Sequence, residues 1–199
     1  GARLKLLEAA TRFRPGMLTA RLRTPRYSYA RVPYRIVDYA TMRRDPRDTI
    51  IFDEAAHREI MDRVAREGTD ARLLSTADGG VLHVSLAEKL LVVALVRFTH
   101  FVPGGGIWMN TRRPEWNDAN NALVGYGVSV VTLGYLRRFL VEVRETLWPA
   151  LGQAPVRLSA AVSSLLQTIT AVLIQHEGGL ADAEYSDQER RTLLDGLAE

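Results

Sequence analysis

Cysteine is absent from this 199-residue chain, which excludes disulfides, thiolate nucleophiles and cysteine-ligated zinc together and agrees with a reducing, cytoplasmic setting. Lysine is scarce: only Lys5 and Lys89 occur, so positive charge is carried almost wholly by arginine, whose planar fork makes paired hydrogen bonds. Neither sign of charge dominates. With 26 basic against 23 acidic residues the formal net charge is +3, too small to imply a field of the size nucleic acid demands. A minor nucleic-acid reading rests on Arg21, Arg23, Arg26, Arg31 and Arg35 interleaved with Tyr27, Tyr29 and Tyr34. Long apolar runs are lacking too. The longest, Leu90 to Val96, falls far short of the roughly 20 residues that cross a bilayer, so no membrane partner is expected. His57, His83, His100 and His176 form no i, i+4 pair and stand near no carboxylate at ligand spacing, so no metal is expected. No Gly-x-Gly-x-x-Gly follows a strand and no Walker loop occurs, so no cofactor is expected, and the lack of a Gly-x-Ser-x-Gly elbow removes that form of serine nucleophile. The chain opens on Gly1 and enters a helical pattern at once, from which we expect a segment cut from a larger polypeptide.

What is present is a core-forming composition. With 47% hydrophobic and 25% charged residues, the chain can bury a substantial core and reads as one mainly helical domain over 1–199. Leu4, Leu6, Leu7, Ala10 and Phe13 predict a helix over Ala2 to Arg14, stopped by Pro15-Gly16. From Met17 to Thr49 the Arg/Tyr/Pro-rich sequence, broken by Pro25 and Pro33, predicts a long extended loop or short edge strands. Asp53 caps a helix over Glu54 to Glu67, ended by Gly68. Leu73 to Val84, around Asp78-Gly79-Gly80, predicts a small β-hairpin.

Ser85 and Glu88 have capping-box spacing for a helix over Leu86 to Val102, apolar nearly all round. A second long helix is expected over Ala119 to Leu147. One of its stripes runs through Leu133, Leu136, Leu140, Val143 and Leu147, another through Val124, Val128, Val131 and Tyr135, so both sides are expected to be covered. Gly125, Gly127 and Gly134 each lower its propensity by roughly 1 kcal/mol, a cost usually accepted where another backbone or a ligand comes close. A third buried helix is expected over Val156 to His176, and a more polar one from Ser186 or Asp187 onward.

The most specific stretch is Met109 to Gly125. It gathers Arg112, Arg113, Glu115, Trp116, Asn117, Asp118, Asn120 and Asn121 before an apolar helical pattern. Sugars are held by such sets: an aromatic face on the ring's C–H surface, carboxamides and arginines on hydroxyls, and a carboxylic acid near the glycosidic oxygen. Each residue also has a plainer role. Asp118 caps a helix as readily as it donates a proton, Trp116 packs in a core, the arginines form a solvated pair, and the asparagines tie down a loop. The run Gly104, Gly105, Gly106 after Pro103 is either a phosphate cradle, with His100 in reach, or a flexible connection.

Glu115-Trp116-Asn117-Asp118-Ala119-Asn120 resembles the Asp-Trp-Asn-Asp-Gly motif of the cellobiose and chitobiose phosphorylase family, with glutamate at the first position and alanine at the glycine. The resemblance implies an inverting glycoside phosphorylase built on a barrel of six helical hairpins, with Asp118 as general acid and inorganic phosphate attacking the opposite face of the sugar. Glu115 is the alternative acid, or the second carboxylate of a hydrolase. The fold expected is therefore mainly α, an (α/α) helical-hairpin barrel or a partial one, because about six helices fit where the barrel needs twelve. The function expected is glycosidic bond cleavage with inversion, on a disaccharide or oligosaccharide. The alternative is a non-catalytic sugar-binding or protein-interaction scaffold that keeps the motif structurally. Its partner would be the rest of a larger polypeptide or a second copy.

Overall fold

The computed structural model describes residues 2–14, 16–110, 122–153, 155–180 and 184–199. The chain is mainly helical with a small antiparallel sheet, as its composition of long apolar stretches between polar breaks requires. The helices relevant to the site are α1 (Ala2–Phe13), α2 (Met17–Arg23), α3 (Tyr39–Arg44), α4 (Glu54–Glu67), α5 (Leu86–Phe98), α6 (Val130–Glu142), α7 (Ala160–Gln175) and α8 (Asp187–Ala198). β1 (Tyr34–Ile36) pairs antiparallel with β2 (Ile50–Phe52). A three-stranded sheet has the order β3 (Phe101–Val102), β4 (Gly106–Trp108), β5 (Val128–Ser129).

α5 is the shared wall of two cores. Leu90 and Ala94 join Leu7, Leu18, Leu22, Ile107, Leu136, Phe139 and Leu147 on one side, whereas Leu95 joins Val162, Ile169, Leu193 and Leu197 on the other. This is why α5 is apolar nearly all round: a helix with a single solvent face would leave one cluster uncovered. Its start is held by polar contacts. Ser85 Oγ accepts the Glu88 N–H at 3.2 Å, but the Glu88 carboxylate does not turn back to close a capping box. Glu88 is 1% exposed, and its oxygens accept the N–H and hydroxyl of Ser159, both at 2.8 Å, and the Tyr29 hydroxyl at 3.2 Å. Ser159 is the N-cap of α7, so one buried carboxylate joins the starts of α5 and α7, where unpaired helix N–H groups favour negative charge. Burial, and next the Glu88 carboxylate, push the Tyr29 hydroxyl up to about 12.

Several boundaries differ from those the sequence implies. The stretch from Met17 to Thr49 is no uninterrupted extended loop. It contains α2, because Leu18 and Leu22 at i, i+4 reach the core, and α3, because Asp38 caps it by accepting the Thr41 N–H at 2.9 Å. Extended pairing survives at the bridges Tyr27↔Val84 and Ala30↔Leu73 and in β1. Gly79, at φ 86, makes the expected turn, closed by the Thr76 N–H on the Gly80 carbonyl at 2.7 Å, although the hairpin pairs only at Ser75↔Val81. Helix α5 stops at Phe98 instead of reaching Val102, since Phe101 and Val102 pair with Ile107 and Gly106 ahead of Pro103.

The expected helix from Ala119 to Leu147 is broken: Gly125 takes φ 89, β5 follows, and α6 starts only at Val130, where Ser129 Oγ accepts the Thr132 N–H. Beyond Glu142 the helix loosens into one π turn, Val143–Leu147. Only one of its two stripes is covered along its length: Leu136 and Leu147 are buried, whereas in the other only Val124, ahead of the break, is buried and Val128, Val131 and Tyr135 are 38%, 69% and 49% exposed. α7 begins at Ala160, four residues later than expected from Val156. α4 and the Ser186-capped α8 stand as the sequence implies, the latter with a complete capping box through Glu189.

Replacing Glu88 by alanine strands the Ser159 N–H and hydroxyl inside the protein. Urea unfolding is expected to show a loss of about 2–4 kcal/mol, with a smaller loss for Glu88→Gln, which keeps one acceptor.

Candidate functional site

The polar residues singled out in the sequence, Arg112, Arg113, Glu115, Trp116, Asn117, Asp118, Asn120 and Asn121, lie outside the described residues. What the structure describes is the pair of feet on which that segment stands. On the entering side, Trp108 ends β4 and Asn110 is 4% exposed, with its carbonyl accepting the Thr49 hydroxyl at 2.7 Å and its carboxamide against Met42 Sδ at 2.9 Å. Thr49 is itself 1% exposed and Met42 6%, so these two side chains form a packed floor under Asn110. On the returning side, Val124 is buried and Gly125 turns the chain.

Backbone hydrogen bonds join the two feet. The Gly125 N–H donates to the Met109 carbonyl at 2.6 Å, the Met109 N–H donates to the Gly127 carbonyl at 3.0 Å, and the Trp108 indole N–H donates to the Gly125 carbonyl at 3.1 Å. The β4–β5 register, Trp108↔Val128 and Ile107↔Ser129, continues this ladder. Closing the excursion this way meets its loop entropy with strand pairing and a buried core strand, since Ile107 is 2% exposed. Gly125 is required twice over: its φ is left-handed, and a Cβ there would come within 3.1 Å of Pro46. At Gly127 a Cβ would come within 2.8 Å of Leu123. These glycines therefore serve a close approach of backbone, but at a turn and not within a helix.

His100 and the glycine run do not form one cluster. Pro103, Gly104 and Gly105 make the tight turn of the β3–β4 hairpin, with the Gly105 N–H donating to the Val102 carbonyl at 3.1 Å. A Cβ on Gly104 would meet the Tyr185 ring at 3.2 Å, and one on Gly106 would meet the Ser129 backbone at 3.0 Å. Close packing thus accounts for both. The turn borders a cavity of about 160 Å³ shared with His176, Tyr185 and Glu189.

His100 sits at the other end of the hairpin, its ring 6.4 Å from that of Trp108, near the feet of the polar segment. Its Nδ1 lies 3.0 Å from the Val96 carbonyl and 2.9 Å from the Thr99 hydroxyl. Burial pushes its pKa down, with the Arg97 charge acting the same way. At the far end of α3, Tyr39 donates to Asp195 at 2.5 Å and Arg191 donates to the same carboxylate at 2.8 Å. Burial pushes Asp195 up, but these two hydrogen bonds outweigh it and hold the carboxyl below its ordinary value. That network locks α3, and with it the floor under Asn110, onto α8.

Two residues of this region escaped the sequence reading. Tyr126, between the two constrained glycines, is 73% exposed, and the Arg47 guanidinium lies 4.9 Å from its ring centre. The available signal was Gly125-Tyr126-Gly127 itself, because an aromatic between glycines suits a display turn better than a helix interior. Among the described residues no group of three or more His, Cys, Asp or Glu could hold a metal ion.

Gly125→Ala is expected to cost about 2 kcal/mol in urea unfolding, from left-handed strain plus the Pro46 contact. Gly134→Ala, in open space on α6, is expected to stabilise by up to about 1 kcal/mol. For His100 the folded-state pKa lies below the unfolded one, so its contribution is complete above the unfolded value of about 6.5 and falls as pH drops below it. The urea midpoint of the wild type should therefore fall more steeply between pH 7.5 and 5 than that of His100→Gln. Comparison with protein-family models matches this chain to no family, and comparison with curated proteins gives no match.

Proposed function

We propose that the chain is a carbohydrate-active domain that cleaves a glycosidic bond with inversion, with the polar segment 111–121 as its reactive part. The observation that supports this reading is the clamp at the feet. A segment dense in arginine, carboxamide, carboxylate and indole groups is carried between Asn110, which is buried, and Gly125, which is hydrogen-bonded to Met109. Polar groups on a closed, packed base are the arrangement that catalysis by positioning needs.

In this reading Asp118 donates a proton to the leaving oxygen, or Glu115 does so in its place. Inorganic phosphate or an activated water attacks the anomeric carbon from the opposite face. Trp116 stacks on a sugar ring, while Arg112, Arg113, Asn117, Asn120 and Asn121 bind hydroxyls and phosphate. A partial (α/α) barrel is the fold that goes with this reading, and the helices α5, α6 and α7 would belong to it.

One observation favours a second reading, an interaction scaffold: Val128, Val130, Val131 and Tyr135 leave an apolar face at the start of α6 open. The partner in that case is the remainder of a larger polypeptide or a second copy.

Wild-type protein is expected to turn over at least one of cellobiose, laminaribiose and N,N′-diacetylchitobiose, releasing an inverted product with or without phosphate uptake. Asp118→Asn, which keeps shape and capping ability but loses the transferable proton, is expected to lower kcat by at least about 100-fold. Unchanged turnover moves the acid role to Glu115, and no turnover by the wild type favours the scaffold.

A further inference from the structure

We infer that Tyr126, with Arg47 against its ring, is a stacking subsite for one neutral pyranose unit of an oligosaccharide, beside the feet of the polar segment. The inference rests on the carbohydrate reading above and adds to it a site made wholly of described residues.

Tyr126 is 73% exposed, yet the backbone that carries it is tied at every step. The Gly125 N–H donates to Met109, the Tyr126 and Gly127 N–H groups both donate to the Leu123 carbonyl at 3.1 and 2.7 Å, and the Gly125 carbonyl accepts the Trp108 indole. Any side chain at Gly125 or Gly127 would strike Pro46 or Leu123. The ring therefore stands in solvent on a turn that cannot relax to bury it. A large aromatic fixed in this way is available to a flat apolar ligand face at little cost in ordering entropy.

Arg47 braces the ring from one side. It is held by its own N–H, which Asp45 Oδ1 accepts at 3.2 Å, and its guanidinium lies 4.9 Å from the Tyr126 ring centre. That guanidinium covers one face of the ring and braces it, and with Tyr126 73% exposed the opposite face stays open to a ligand. A rigidly held, open aromatic face suits a pyranose, whose C–H face is apolar. The pair comes from two connections, α3–β2 and the return of the polar segment, that meet at the Pro46–Gly125 contact. Both sit next to Asn110, where that segment departs.

The test is titration of cellobiose, laminaribiose and N,N′-diacetylchitobiose into wild type, Tyr126→Ala, Tyr126→Phe and Arg47→Ala by calorimetry, with the melting temperature and sedimentation of each variant recorded. Tyr126→Ala is expected to weaken binding of the disaccharide that the wild type takes by about tenfold, and Tyr126→Phe, which keeps the ring, by no more than about threefold. Arg47→Ala, which removes the brace behind the ring, is expected to lose about fivefold or less. Melting temperatures should stay within a few degrees of wild type, because both side chains are exposed. Where turnover is measurable, Tyr126→Ala should raise KM and leave kcat nearly unchanged, a split that general loss of structure would not give.

Undiminished disaccharide affinity in Tyr126→Ala overturns the subsite and leaves the carbohydrate reading in place. Self-association that disappears in Tyr126→Ala while sugar affinity is unchanged also overturns it, by making the ring a protein contact. Failure of the wild type to bind any of the three sugars removes both this inference and the reading on which it rests.

Discussion

The placement of α5 between two apolar clusters is the constraint on which the rest of the molecule depends. Leu90 and Ala94 on one face and Leu95 on the other leave no room for the helix to rotate without exposing one cluster. Apolar packing alone would still let it slide along its axis, because such contacts have no direction. The buried Glu88 carboxylate removes that freedom by holding the N-cap of α7 through Ser159 and meeting Tyr29 from the extended segment that precedes α5. Charge buried this way is stable only with its donors in place, so the contact acts as a register device more than as a source of net stability.

The end of α5 determines where the sheet begins, and the sheet determines where the polar segment is carried. Phe98 and Phe101 touch both clusters, so the chain leaves α5 already anchored and turns at once into β3. The tight turn at Gly104 then returns it as β4, whose Ile107 is buried in the first cluster. β5 completes the ladder only because Gly125 and Gly127 bring the returning backbone against Met109. The feet of the excursion are thus linked through a few contacts to the stiffest part of the fold.

Electrostatics in the described regions is mostly local. Ion pairs such as Arg31–Glu59 and Arg63–Glu67 are surface contacts of the kind worth at most about 1 kcal/mol. The exceptions tie elements together: Glu88 across α5 and α7, Asp195 across α3 and α8, and the Arg23 guanidinium, which reaches the carbonyls of Pro155 at 2.7 Å and of Leu151. Arginine's fork suits such carbonyl pairs, in keeping with a chain that has almost no lysine.

Sequence alone determined the mainly helical class, the helix Glu54–Glu67 with its Asp53 cap, the capped start of α8 and the turn at Gly79, because each depends on residues a few positions apart. It also marked the segment 111–121 as polar and aromatic. Tertiary structure decided the remainder. Whether Leu18 and Leu22 form a helix depended on a core reaching them, and whether Phe101 continued α5 depended on its strand partner Ile107, beyond the turn. Gly125 and Gly127 read as helix-weakening residues until Pro46 and Leu123 were seen in contact with them. The pairing of Tyr126 with Arg47, 79 positions apart, had no local signal at all. Local propensity is written within a few residues, whereas what a side chain faces is set by segments distant in the chain that packing alone brings together.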